Sequence, residues 1–298
     1  MRPSPFTFSA HPLSWAIVLL AAVCYWRAVH REGSAATRRQ MISFALGLLA
    51  ALAALTWPLA DLARGSLTAL VCQRLLLLLA VPGLLMVGLP EAVAARWTRP
   101  RALDALVRWC SRPPVAVLLV TASAVATLTT GAVDAAARDS LLAGAFDALL
   151  VAAGSVLWLP VVAGFPGTHR PSALGRAGYL IVQSIVPSFL AIVWIFARHP
   201  LYPAFAHSAT IGGVSAILDQ QLAGFVAKFA TIAILWVVAF TGLTRAHALG
   251  AAGDDANPLR WADVERQFER ADRAQRRKNP WLPSARATDA DAAAAEEE

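Results

Sequence analysis

Long apolar runs separated by short charged stretches set the pattern of this chain. Seven runs, at 12–28, 41–62, 66–88, 114–131, 140–163, 177–196 and 222–243, approach or exceed the length a helix needs to cross a hydrocarbon core of about 30 Å. Each predicts a transmembrane helix, although the first is short and the fourth carries several threonines. Pro82 and Gly83 interrupt the third run near its middle, and a proline there removes one helix hydrogen bond and predicts a kink. After the seventh run the pattern changes to a small-residue linker at 250–255. Asn257 and Pro258 then supply a helix start, and Trp261, Val264 and Phe268 fall on one face. A tail helix over 258–278 is expected, lying on the inner leaflet or docking on a partner, and followed by a disordered Ala/Asp/Glu-rich end.

The charges between the runs orient them. Arg27, Arg31, Arg38 and Arg39 lie in the first connection, Arg96, Arg99, Arg101, Arg108 and Arg112 in the third, and Arg170 and Arg176 in the fifth. The tail from Arg245 adds nine basic residues, whereas the alternate connections hold only Arg2, Arg64, Arg138 and Arg198. Cytoplasmic loops carry the excess of arginine and lysine, so the N-terminus is expected outside and the C-terminus in the cytoplasm. The first run resembles a signal h-region, but Tyr25, Trp26, Arg27 and His30 follow it in place of a small-residue cleavage site, so it is expected to be retained.

Composition agrees with an all-α, seven-span bundle in a membrane. The 298 residues are 57% hydrophobic with a mean hydropathy of +0.55. The net charge of +7 reflects orientation in a bilayer, not nucleic-acid binding. Division into a membrane domain, 1–249, and a tail, 250–298, follows, and no internal repeat is visible. Cys24, Cys72 and Cys110 have no framework spacing, which argues against a structural disulfide and favours buried thiols. The six histidines sit outside the runs or at their ends, so no intramembrane histidine cage can form; His199 and His207 share one loop and read most simply as interfacial residues. Nucleophile elbows, phosphate loops and zinc motifs are missing, and no enzyme activity is expected.

The remaining chemistry is in charges inside the spans. Arg74, Asp147 and Lys228 each fall six to eight residues into a run that enters from the same side, which places them at a similar depth. Intramembrane charges are costly and normally paired, so a buried network centred on Asp147 is expected, with Lys228 snorkelling to the interface as the alternative. Asp219, Gln220 and Gln221 precede the seventh run; Asp219 suits the N-terminal cap of that helix, and the glutamines could line an outer vestibule.

Several stretches resemble the multi-span CtaG family of cytochrome c oxidase assembly factors associated with caa-type oxidases. They are T-W-P-L-A-D-L-A at 56–63, Q-R-L-L-L-L-L-A-V-P-G-L-L-M-V-G-L-P at 73–90, W-L-P-V at 158–161, H-P-L-Y-P at 199–203, D-Q-Q-L-A-G at 219–224 and R-W-A-D-V-E-R at 260–266. The resemblance implies a role in haem-copper oxidase biogenesis, with oxidase subunits or other assembly factors as partners in the membrane. It also implies paired helical histidines for copper at positions where this chain has Leu70 and Arg74, and near Ala143 and Asp147. None of those four residues is a good cuprous ligand, so a scaffold, or a paralogue without the copper step, is the expectation, with no cofactor. Cys72 and Met86 are the only soft atoms on the third span that could hold copper instead. The rival reading is a small transporter or ion-conducting protein whose path passes Arg74, Asp147 and Lys228.

Overall fold

Helices account for every regular element among the described residues of the computed structural model, and no strand is present there. The structure describes residues 11–31, 36–162, 165, 167, 168, 171–206, 213–256 and 270. The chain divides into two compact units, 1–243 and 244–298. The tail helix expected over 258–278 lies outside the described residues, apart from Arg270.

In order, the helices are α1 (Pro12–Arg31), α2 (Arg38–Leu55), α3 (Leu59–Leu62), α4 (Leu67–Leu75), a π-helical turn (Leu76–Ala80), α5 (Val81–Gly88), α6 (Glu91–Trp97), α7 (Arg101–Cys110), α8 (Pro113–Leu128), α9 (Thr130–Arg138), α10 (Ser140–Trp158), α11 (Ala173–Phe196), α12 (Pro203–Ala206) and α13 (Ala216–Ala256). Among the described residues six segments are long and apolar enough to cross a membrane: α1, α2 with α3, α4 through α5, α10, α11 and the greater part of α13. A seventh is reached only if α7 and α8 are taken together, and these are bent 88° from one another.

Boundaries shift where proline or a cap intervenes. The second run, expected to be continuous over 41–62, breaks after Leu55 because Pro58 cannot donate to the ladder, and the Thr56 hydroxyl bonds back to the Leu52 carbonyl at 2.6 Å. At its start Thr37 and Gln40 form a capping box. The third run is not simply kinked at Pro82: the turn before it widens to a π-helix, with Val81 N–H donating to the Leu76 carbonyl. The fourth run is shorter than 114–131 implied, ending at Leu128, and α7 precedes it at the sharp bend. The seventh begins six residues before position 222.

The third span is the hub. Of its most apolar stretch 56% is buried, against 11% for α1, and the main core surrounds Leu77, Leu78, Leu79 and Val81. Helices reach it closely because glycine faces it. A methyl on Gly154 of α10 would overlap the Leu78 carbonyl and lie 2.6 Å from Pro82 Cγ, so only glycine lets α10 pack on the π turn. Gly88 meets the Phe44 backbone of α2 in the same way. Trp158 Nε1 then donates to the Leu79 carbonyl at 2.8 Å, inside the π turn.

Helix ends in an apolar surrounding need partners for their last carbonyls, because little water competes for them. The chain has three tyrosines, and each serves this purpose. Tyr25 donates to the Gly88 carbonyl at 3.1 Å, Tyr179 to that of Leu157 at 3.0 Å and Tyr202 to that of Leu128 at 2.6 Å, closing α5, α10 and α8.

Candidate functional site

The site is organised by a helix that ends early. With 16 residues, α8 measures about 24 Å, short of a bilayer core of about 30 Å. Its terminal carbonyls therefore end among side chains, where an unpaired carbonyl is costly. Arg74, 7% exposed and seven residues into the third span from Leu67, donates from its guanidinium to the Thr127 carbonyl, and Tyr202 donates to the next one. A cation and a hydroxyl at the negative end of a helix are favourable both as hydrogen bonds and with the helix dipole. Burial pushes the Tyr202 phenol up to about 12, so it stays protonated and able to donate. Trp194 packs edge-on against Tyr202, with ring centroids 5.8 Å apart, and Asp134 of α9 accepts from the Ala204 N–H at 3.0 Å to hold α12 beside it.

Below this stopper lies a cavity of about 60 Å³, lined chiefly by leucine, valine and alanine from the third span, α8, α10, α11 and α13. That is room for about four water molecules. Its polar lining includes Arg74, Thr121, Gln183 and Thr231. Thr121 Oγ1 and Gln183 Oε1 are buried with no hydrogen-bond partner among the described residues. Pro187 has no N–H to give the Gln183 carbonyl, so α11 also lacks one ladder bond at this level. An apolar chamber with one cation and a few unsatisfied acceptors can hold ordered water or a small polar group; its lining offers no nucleophile paired with a base.

Asp147 is half-buried, and its charge and that of Arg74 act on each other through space. No ion pair joins the two among the described residues; the guanidinium is turned to the end of α8 instead. Lys228, also half-buried, makes no hydrogen bond or ion pair among the described residues and does not line the cavity. Leu70 and Ala143 are half-buried. Together with Arg74 and Asp147 they present two apolar side chains, one guanidinium and one carboxylate, a donor set that does not fit a cuprous ion. Cys72 and Met86 stand 14 residues apart on one span, roughly 21 Å along its axis, and cannot share an ion.

Asp219 is a helix cap, but of a different helix from the one the sequence suggested. Because α13 starts at Ala216, Asp219 sits within its first turn, and its carboxylate reaches across to the N-terminus of α4. There it accepts from the Ser66 hydroxyl at 2.7 Å, Leu67 N–H at 2.6 Å and Thr68 N–H at 3.3 Å. Gln220 Oε1 accepts from Leu201 N–H at 2.7 Å, and Gln221 reaches the Ala197 carbonyl at 3.5 Å. The three consecutive residues thus tie α13 to the third span and to the loop that carries Tyr202. A shallow pocket beside them includes Ser66, Thr68, Cys72 and Asp219, with neither glutamine in its wall.

Sequence reasoning missed Tyr202, Thr127, Thr121 and Gln183. Gln183 had a signal, an amide in the middle of an apolar run; the carbonyl that Arg74 contacts had none, since any residue could supply it.

A family model described as cytochrome c oxidase caa3 assembly factor (Caa3_CtaG) matches residues 10–247. No curated protein and no solved structure matches the chain.

Proposed function

Because the chain belongs to the Caa3_CtaG family of cytochrome c oxidase caa3 assembly factors, we propose that it supports haem-copper oxidase biogenesis as a membrane scaffold and not as a copper carrier. Family membership and several apolar helices make it a multi-pass membrane protein with a role in oxidase assembly. The finer reading rests on one observation: at the position where the resemblance implies a ligand, Arg74 instead closes the end of α8 by donating to the Thr127 carbonyl. A guanidinium committed to a helix end is a structural element, and it repels a metal cation. Asp147 serves as its counter-charge. The tight third-span hub with its stoppered α8 then acts as a rigid body that presents its lipid-facing helices to oxidase subunits or to other assembly factors. In this reading the membrane is the bacterial cytoplasmic membrane, the N-terminus lies outside and the tail lies in the cytoplasm. The transport reading gains no support from the family.

Affinity purification of the tagged chain from gently solubilised membranes, followed by mass spectrometry, tests the proposal. Oxidase subunits or other oxidase assembly proteins should co-purify. Recovery of the chain without any of them, after chemical cross-linking in intact membranes, would oppose it.

A further inference from the structure

The bend between α7 and α8 places the ten residues of α7 at nearly a right angle to α8. At helical spacing their side chains form one broad apolar face opposed by an arginine edge. Val107, Cys110 and the following Ser111 are its inner part; Val107 packs on the main core, Cys110 is 6% exposed and Ser111 fully buried. Leu103 and Leu106 share that face and Trp109 continues it, and these three are 40%, 53% and 47% exposed. Arg101, Arg108 and Arg112 form the opposite edge, and all are exposed. Immediately before α7, Trp97 and Arg99 are exposed as well, while Val93 and Ala94 anchor α6 to the protein. Asp104 is the one acidic side chain on α7, and it is engaged by Arg108 at 2.6 Å. Arg99, Arg101 and Arg112 make no side-chain hydrogen bond or ion pair among the described residues.

We infer that α7, with the end of α6, lies flat in the membrane interface as an anionic-phospholipid binding platform. Leu103, Leu106, Trp97 and Trp109 enter the acyl boundary, and Arg99, Arg101 and Arg112 engage headgroup phosphates. Three features favour this over a crossing orientation. A helix continuing α8 through the bilayer would carry Arg101, Asp104 and Arg108 into hydrocarbon. The right-angle bend removes that burden. Tryptophan beside arginine on an exposed helix suits the interface, where the ring is half-immersed and the guanidinium meets phosphate. Among the described residues the exposed cations of α7 and its flanks outnumber the acidic groups beside them, which suits lipid phosphate as the complementary charge, and each arginine near an anionic surface contributes about a fivefold preference.

The full-length chain, reconstituted in phosphatidylcholine vesicles with and without about 30% phosphatidylglycerol, tests this. With Cys24, Cys72 and Cys110 changed to alanine, single nitroxide-labelled cysteines placed in turn along 101–109 report depth through oxygen and nickel-chelate accessibility. Positions 103, 106 and 109 should share one shallow, oxygen-accessible depth, with 101 and 108 accessible to nickel. Depth increasing steadily from 101 to 109 would overturn the inference, because α7 would then be part of a span. Lipid retained by the unmodified chain after extraction into detergent should be several-fold enriched in phosphatidylglycerol, and R99Q/R101Q/R112Q should return it to the bulk ratio. Equal retention of both lipids by the unmodified chain would overturn the anionic-lipid assignment whether or not the variants accumulate.

Discussion

Replacing Gly154 by alanine adds one carbon to the tightest contact in the bundle. On α10 that methyl would overlap the Leu78 carbonyl and approach Pro82 Cγ to 2.6 Å. Neither neighbour is a flexible side chain: one is backbone in the π turn and the other the proline ring in the first turn of α5. The helices must therefore part, and overpacking of this kind costs about 1–3 kcal/mol. Parting them also strains the Trp158 indole bond to the Leu79 carbonyl, worth about 1 kcal/mol. Alanine recovers about 0.8–1 kcal/mol of helix propensity over glycine. The net loss is about 1–3 kcal/mol. Gly144 on the same helix provides the control, since nothing lies within 4 Å of its added carbon. There the same substitution keeps only the propensity gain and should be neutral or stabilising by up to about 1 kcal/mol. Unfolding of both variants in mixed detergent micelles, titrated with a denaturing detergent and followed by tryptophan fluorescence, measures the difference. Equal stabilities for Gly154→Ala and Gly144→Ala would refute the close-approach argument.

Asp219→Ala removes the acceptor for three donors at the start of α4 and should lower unfolding stability by about 1–2 kcal/mol, with Asp219→Asn losing less; equal losses for the two in the same titration would contradict the cap. Tyr202→Phe deletes one of the two donors that close α8 and should cost about 1 kcal/mol by the same measurement. Since the Tyr202 phenol is held near 12 in the folded chain, above its ordinary value of 10, the unfolded chain ionises first; stability should fall as pH rises from 10 toward 12, and Tyr202→Phe should make that fall shallower. Metal analysis of protein purified in gentle detergent should find no stoichiometric copper, and about one tightly held copper per chain would contradict the donor-set argument. Reporter fusions after residues 35, 105 and 172 should report cytoplasm and those after 136 and 208 the outer side, with an outer signal at 105 against the orientation.

The long helices were legible because a hydrocarbon solvent demands long apolar runs, and those runs show in any window of the sequence. Their interruptions were less so. Pro82 signalled a disturbance, but whether a proline yields a kink or a π turn depends on what packs beside it, here Gly154 and Trp158 from a distant helix. The early end of α8 left only a trace in its threonines, since its cause, capping by Arg74 and Tyr202, joins residues 53 and 74 positions apart. Arg74 itself was legible as a buried cation that must have a partner. Its hydrogen-bond acceptor is a backbone carbonyl, which has no signature in side-chain sequence. Asp219 shows the same limit: its cap chemistry was evident, but the choice of helix was decided by how α13 packs against α4.

The central claim is that the chain supports oxidase assembly without carrying copper. Reduced-minus-oxidised haem spectra of membranes from cells lacking the chain test it most directly, with and without copper supplementation. The account predicts that the spectrum of the assembled haem-copper oxidase is lost, that the wild-type chain restores it, and that added copper alone does not. An undiminished oxidase spectrum in the absence of the chain, or full restoration by copper alone, would contradict it.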